Sequence, residues 1–577
     1  MATKVQQIEG AKGSDVYNSS GSALVDLSVR LVRDAWSDDM NDLFSKAIEA
    51  SEDDAFVLAF QTRDIRGGKG ERKLFGKMVE LLLKNRPQLM VGLLDLIPEY
   101  GCWRDLYTEH FYGYRPDVAA LVVKQLKADA AKVASAAANP EMSEAAISLC
   151  AKWAPREGKD TEGAKAMAAL LFPTEPKLSQ RLKSYRKLVA GLNRRLDTTE
   201  IKMCGKHFAD INPAKVPGVC LAKHMKAFLN EQGSSKKGGR THRDLRHPDD
   251  PDRMACREHF QEHMSKAARG EAKVNGSVTR YPHQVIKDVI CGAEGAERES
   301  LIAVWNGMVA NAKALGGLGR TIAMCDFSGS MRSSSSGDTP YLVSMAMGLL
   351  IAEVCSDEFK DTFMTFDSSP QWHKLPAAAD IFSRVNSIGN CGQGLSTDFQ
   401  KAMDLVLATL KEKRVRPGQE PKDLIVITDM AWDAACGSSQ QSVHTGNSYR
   451  HVVKTNPWQT HIQMIRESFR RAGEDMWGAA YGWKAPRIVI WNVAATCVDF
   501  HATADTEGVI MLSGWSPSLF KVLTEEGARV QTPLEALRIQ LDDERYDPIR
   551  KRLASLRLPP IRIPQPVRSY GIATSPM

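Results

Sequence analysis

The feature that most constrains this chain of 577 residues is an apolar run, Thr321-Ile322-Ala323-Met324, that stops at Cys325-Asp326-Phe327-Ser328-Gly329-Ser330-Met331. An apolar strand ending in Asp-x-Ser-x-Ser sets one carboxylate and two hydroxyls on a single tight turn. That is hard-oxygen chemistry, suited to Mg²⁺ or Mn²⁺. Magnesium needs about six oxygens in near-octahedral array, so other loops at the same sheet edge must complete the shell. Thr397, in the loop 392–398, and Asp429, which ends the apolar run Leu424-Ile425-Val426-Ile427-Thr428, are placed to do so. Ser396 could take the role given to Thr397. The run Ser333-Ser334-Ser335-Ser336 reads as a loop outside the site.

This constellation resembles the metal-ion-dependent adhesion site (MIDAS) of von Willebrand factor A (vWA) domains. The resemblance implies that Ser328, Ser330 and Thr397 touch the metal through their hydroxyls. It implies that Asp326 and Asp429 act mostly through bound water and hydrogen bonds.

The surrounding sequence predicts an open α/β sheet, doubly wound in the Rossmann-like manner. Strands are expected over 361–366, 423–429, 487–493 and 508–512, and an antiparallel return over 371–375 after Ser368-Ser369-Pro370. Helices are expected over 341–354, 377–388, 399–413, 516–523 and 534–541. Ligands of such sheets bind beyond the carboxyl ends of the strands, where Asp326 and Asp429 both fall.

The first half is a different kind of polymer, rich in Ala, Leu, Lys and Glu with apolar residues at helical spacing. Leu74, Phe75, Met78, Val79 and Leu82 form one stripe, and Val118, Leu121, Val122 and Leu126 another. Ala145, Ile147, Leu149, Cys150 and Trp153 suggest a third. Short breakers such as Asn85-Arg86-Pro87 separate the helices, which predicts a solenoid of antiparallel pairs.

Basic residues cluster in this half. Arg63, Arg66, Lys69, Arg72 and Lys73 surround the glycine-rich turn Gly67-Gly68-Lys69-Gly70 that opens a helix, an arrangement suited to phosphate. Further cations sit at Lys152, Arg156, Arg181, Lys183, Arg186, Lys187, Arg194 and Arg195, of which Lys152, Arg156, Arg186 and Lys187 are the candidate RNA contacts, and 232–250 reads as a mobile basic loop. A solvated helix face is the alternative reading of each cluster. Cys256, His259 and His263 share a helical face at Cys-x2-His-x3-His spacing, which could offer zinc ligands; the other reading is ordinary polar surface.

A helical half joined to this sheet is similar to the Ro autoantigen (TROVE) family of RNA-binding rings. It is more closely similar to an uncharacterised domain-of-unknown-function group of plants and large DNA viruses. The match rests on Thr62-Arg63-Asp64-Ile65-Arg66-Gly67-Gly68-Lys69-Gly70-Glu71-Arg72, Ile97-Pro98-Glu99-Tyr100-Gly101-Cys102-Trp103-Arg104-Asp105-Leu106 and Ala151-Lys152-Trp153-Ala154-Pro155-Arg156-Glu157. Tyr185-Arg186-Lys187 and Pro217 belong to the same frame. The resemblance implies a HEAT-like helical solenoid or ring that binds structured or single-stranded RNA as a ribonucleoprotein. It also implies a metal site open to an acidic ligand.

The expected organisation is a flexible segment 1–23, a helical domain 24–315, a vWA domain 316–545 with an insert at 430–486, and a Pro-rich arm 546–577. The insert carries Trp432, Trp458, Trp477 and Trp483. It could cover the metal turn, or its aromatic residues could pack an added helix onto the sheet.

A net charge of +7 permits a polyanion partner without demanding one. The 11 cysteines are odd in number and lack paired spacing, which points to free thiols and a reducing compartment. The amino terminus lacks a signal-peptide core and no apolar run is long enough for a membrane helix. The expected setting is intracellular, cytoplasmic or nuclear. The leading functional expectation is a noncatalytic RNA-binding protein. The alternatives are a scaffold whose metal captures an acidic protein residue, and a metal-dependent nuclease or phosphatase assisted by Asp367 or Asp398.

Overall fold

A computed structural model describes residues 5–9, 15–138, 146–232, 244–332, 337–355, 359–367, 369–389, 391, 399–431, 441–445, 448–452, 458–523 and 532–557. A short amino-terminal hairpin and a helical first half are followed by a mostly parallel sheet with helices on both faces. The strands in chain order are β1 (Gln7–Glu9), β2 (Asp15–Tyr17), β3 (Thr321–Asp326), β4 (Thr362–Phe366) and β5 (Trp372–Lys374). They continue with β6 (Asp423–Thr428), β7 (Gln441–Thr445), β8 (Ser448–Val452), β9 (Arg487–Asn492) and β10 (Val509–Ser513). The main sheet runs β10-β9-β6-β3-β4-β5, and only β5 is antiparallel to its neighbour. β1 pairs with β2 and β7 with β8, each antiparallel.

Every residue of β3, β6 and β9 is buried, which is why these strands read as near-continuous apolar runs. Alternate side chains enter opposite cores. Ala323, Cys325, Ile425, Ile427, Val489 and Trp491 face the layer holding helix Pro340–Val354. Ile322, Met324, Leu424, Val426, Ile488 and Ile490 face the other layer, which merges with the core of the helical half. Helix Pro340–Val354 lies very close to β3. A Cβ at Gly348 would fall 2.2 Å from the Cys325 sulfur, so only glycine fits.

In the first half, helices Asp38–Ala50, Glu52–Arg63 and Arg72–Asn85 pack on their chain neighbours, as do Thr161–Leu171 and Leu178–Leu196. The stripe Leu74, Phe75, Met78, Val79 and Leu82 is buried as expected. The third stripe is shorter than its spacing suggests: the helix is only Cys150–Trp153, Leu149 is exposed, and Ala145 lies outside the described residues. Helices Gly218–Phe228 and Pro251–Ala268 form a small separate core around stacked Phe228 and Phe260.

Four sets of contacts tie together segments that the sequence reads as separate or flexible. Helices Pro282–Ile290 and Gly295–Ala314 fall before residue 316, yet Val285, Ile286, Val289, Leu301 and Trp305 pack into the sheet's core. The segment 1–23 is tied down at Tyr17, whose N–H donates to Phe500 O at 2.7 Å while Phe500 N–H donates to Tyr17 O at 2.9 Å. The segment after 546 begins with helix Asp547–Arg557, which packs on Glu52–Arg63 through fully buried Ile549 and Leu553 and through an Arg550–Asp54 pair. Residues 558–577 lie outside the description. Finally, in the loop 232–250, Asn230 Nδ2–H donates to His247 O at 2.8 Å and Glu231 bridges Leu245, so its far end is anchored; 233–243 lie outside the described residues.

The described cysteines are all unpaired. Among the described residues no helix is long and apolar enough to cross a membrane.

Candidate functional site

The β3–β6 register pairs Cys325 with Ile427, so Asp326 meets Thr428 and Asp429 follows at the same edge. Asp326 is fully buried. Its Oδ1 accepts the Ser328 N–H at 2.9 Å and its Oδ2 the Thr428 hydroxyl at 2.9 Å. The hydroxyls of Ser328 and Ser330 lie 3.1 Å apart, the first buried and the second at the surface. Asp429 is buried and accepts the Ala431 N–H at 3.1 Å. The turn after it passes through Met430 at a φ of 70°, and buried His501 donates Nε2–H to the Met430 carbonyl at 2.8 Å. Burial lowers His501 to about 4, which keeps its imidazole neutral.

Burial pushes the Asp326 carboxyl up to about 6, and the Asp429 carboxylate adds to the rise; bonds from Ser328 and Thr428 oppose it. Two buried carboxylates that repel one another, beside two hydroxyls, suit a small hard cation, which would relieve the repulsion. The donor set therefore fits Mg²⁺ or Mn²⁺. Asp326, Ser328, Ser330 and Asp429 are brought together. Thr397, Ser396 and Asp398 lie outside the described residues. Asp367 follows β4 at the same edge and accepts the Ser369 N–H at 2.9 Å.

The glycine-turn cations do not form one surface patch. Arg63 is 3% exposed and Lys69 1% exposed. Arg63 Nε–H donates to Asp105 Oδ2 at 2.7 Å. Lys69 Nζ donates to Ser28 O and Ser513 Oγ, both at 2.6 Å. Lys69 is held in the interior, which corrects the expectation that it contacts RNA; Arg63 reaches only a small cavity at the junction of the two halves. Arg72 is exposed but bonded to Asp105 at 2.7 Å, Lys73 pairs with Asp34 at 3.3 Å, and exposed Arg66 donates to Glu99 O at 3.0 Å. A lysine in a Gly-Gly-Lys-Gly turn reads as solvent-facing, and nothing local signals that the turn is covered by β10.

The second cluster lines a groove of about 820 Å³ between helix Cys150–Trp153, the loop 155–160 and helix Leu178–Leu196. Its wall is held by Tyr185 O–H donating to Pro155 O at 2.8 Å and Asn193 Nδ2–H to Ala151 O at 2.9 Å. Lys152, Arg156, Lys159, Arg186 and Arg194 line it against two carboxylates, Glu157 and Glu200. Lys152 pairs with Glu200 at 2.7 Å and Arg186 with Glu157 at 2.5 Å. Arg156, Lys159 and Arg194 form no salt bridge among the described residues. Lys187 is exposed but does not line the groove. Trp153 contributes a ring flanked by Lys152 and Arg104, 5.7 and 5.6 Å from its centroid. Sequence reasoning passes over Lys159 and Trp153; the signal for both is their place in the run 151–159 that carries Lys152 and Arg156.

The zinc spacing does not assemble. Cys256 is fully buried in the small core, His259 is exposed, and His263 Nε2 lies 3.0 Å from Lys273 O. In the insert, helix Trp458–Trp477 packs on Phe399–Glu412, and the Nε1–H groups of Trp477 and Trp483 both donate to Val415 O, at 3.1 and 3.0 Å. These two tryptophans tie the added helix to the loop that follows Phe399–Glu412. Trp432 lies outside the described residues.

Two family models match. Residues 320–557 match a domain of unknown function (DUF7788). Residues 11–114 and 109–235 match a domain of unknown function (DUF2828). The chain is similar to the uncharacterized protein L728 of Acanthamoeba polyphaga mimivirus, 26% identical over 533 residues, covering 89% of this chain and 83% of the relative. The crystal structure of the Deinococcus radiodurans RO (RSR) protein matches over 88% of this chain and 99% of its own, with 14% identity and a TM-score of 0.41.

Proposed function

We propose that this chain is a noncatalytic RNA-binding protein whose helical half grips RNA in the groove beside Trp153. One observation carries the reading: five cations face two carboxylates around an aromatic ring in a groove of about 820 Å³. Arginine and lysine side chains neutralise backbone phosphates, and an aromatic face stacks on an unpaired base. The composition of the groove supports single-stranded ends or loops over a continuous duplex, because stacking requires a base outside its helix. The test is a gel-shift titration with structured RNAs bearing single-stranded ends. A retarded complex that weakens steeply with salt, and weakens further in Arg156→Gln/Arg194→Gln, supports the reading. No complex at low salt contradicts it.

We infer a second, compatible role for the sheet edge: capture of an acidic group through a divalent cation in a vWA-type site. Asp326, Ser328, Ser330 and Asp429 would hold Mg²⁺ or Mn²⁺, with Thr397 as the further hydroxyl ligand that the resemblance implies. The cation would supply an electrophilic position for a carboxylate from a partner. Buried Thr428 and His501 orient the turn through Asp326 and the Met430 carbonyl. A shell dominated by hydroxyls favours holding an anion over hydrolysing it. Metal-dependent retention of a partner, lost in Ser328→Ala, supports this role; retention unchanged in EDTA contradicts it.

A further inference from the structure

A second cavity, of about 190 Å³, lies where the two halves meet. It is lined by Arg63, Gly70 and Arg72 from the glycine turn, by Thr279 and Arg280 before helix Pro282–Ile290, and by Ser516 just after β10. No carboxylate lines it.

Arg63 is the informative residue. It is 97% buried, taking its 3% exposure, and only its Nε–H is bonded, to Asp105. Its two terminal amino groups make no hydrogen bond among the described residues. Arg63 lines the cavity, so its unused donors are available to an anion that enters it. Arg72 and Arg280 converge on the same space from separate elements. Their carboxylate partners, Asp105 and Asp288, are not among the lining residues and leave donors on each arginine.

The walls are rigid. Tyr281 O–H donates to Lys69 O at 2.9 Å, and Ser518 O–H to Gly68 O at 2.7 Å. Gly70 has a φ of 72°, and a Cβ there would stand 2.4 Å from the Tyr281 oxygen. The turn is therefore shaped around this junction.

We propose that this cavity binds a phosphoryl oxyanion, either free phosphate or the phosphate end of a small phosphomonoester. Three guanidiniums keep donors beyond those given to Asp105, Cys102 and Asp288, and the volume takes one phosphoryl group, leaving the rest of a phosphomonoester such as a nucleotide outside. Since the lining comes from both halves, the anion ties the first helices to the end of β10. The site is separate from the Trp153 groove and does not rest on the RNA reading.

The test is thermal unfolding of the full chain with inorganic phosphate, compared with chloride at equal ionic strength. Binding only the folded state raises the midpoint with ligand concentration. Phosphate is expected to raise it and chloride not. Arg72→Gln, half-exposed and tolerant of change, should weaken phosphate by about tenfold with the unliganded midpoint near wild type. Arg280→Gln, whose side chain is buried and paired with Asp288, should weaken phosphate to a similar extent, read against its own unliganded midpoint. Adenosine 5′-monophosphate against adenosine separates the sources. A larger shift with the nucleotide assigns the pocket to a phosphomonoester, and a larger shift with phosphate assigns it to the free anion. Equal shifts in phosphate and chloride, or a phosphate shift unchanged in both variants, would overturn the proposal.

Discussion

The ammonium of Lys69 lies 2.6 Å from the hydroxyl of Ser513, 444 positions further along the chain. The same nitrogen donates to the carbonyls of Ser28 and Leu31 at 2.6 and 3.3 Å. One buried amine thus joins helix Ala23–Arg30, the glycine turn and the end of β10. Burial lowers the Lys69 amine to about 7 from an ordinary 10.5, and nearby Glu71 partly opposes the shift.

That shift fixes a sign for pH dependence. Between about pH 7 and 10.5 the unfolded chain holds the Lys69 proton and the folded chain releases it, so this group makes stability rise with pH there. Below pH 7 the buried charge carries its full cost. Urea unfolding of wild type and Lys69→Met across this window should show a pH-dependent difference of a few kcal/mol that the variant lacks. Parallel profiles would refute the assignment.

Asp64 is a second tie. It is fully buried, accepts Arg545 Nη2–H at 2.8 Å and the Tyr546 hydroxyl at 3.2 Å, and receives the Arg66 N–H at 3.0 Å. Asp64→Ala leaves these donors unpaired and should cost about 3 kcal/mol. Limited proteolysis should then cut near 546 earlier than in wild type, because helix Asp547–Arg557 loses its anchor.

Metal binding should depend on the sheet edge. Mn²⁺ titrated into wild type should give a saturable paramagnetic signal, displaced by Mg²⁺. Asp326→Ala and Ser328→Ala should each weaken it by about tenfold or more. Circular dichroism must show both variants folded. Unchanged Mn²⁺ binding in folded variants would remove these residues from the shell.

Trp153 should matter for unpaired bases. Trp153→Ala should weaken a single-stranded oligoribonucleotide by about 1–3 kcal/mol, and Trp153→Phe by much less. Fluorescence anisotropy with matched single-stranded and duplex RNA reads the difference. An equal loss for both forms would mean that the ring supports the groove without stacking on a base.

The parallel strands were legible because burial on both faces leaves unbroken apolar runs, as in Ile322 to Met324 and Leu424 to Ile427. The short return at Trp372–Lys374 was marked by its turn. The sheet-edge residues were legible because Asp326 and Asp429 each end such a run. Longer-range placement left no periodic trace. Nothing near Lys69 announces Ser513, nothing near Tyr17 announces Phe500, and the arginines of Asp547–Arg557 look solvated until Asp54 and Asp95 are found beside them. Helices Pro282–Ile290 and Gly295–Ala314 carry the same 3.6-residue pattern whether they pack on helices or on a sheet, so pattern alone does not show that they pack into the sheet's core.

The central claim, RNA capture by the Trp153 groove, is tested most directly by the salt dependence of affinity. Anisotropy titrations of one structured RNA between about 50 and 200 mM salt should give a linear log–log slope that becomes shallower by about two in Arg156→Gln/Arg194→Gln. An absence of saturable binding at the lowest salt, or identical slopes for wild type and variant, would contradict the account.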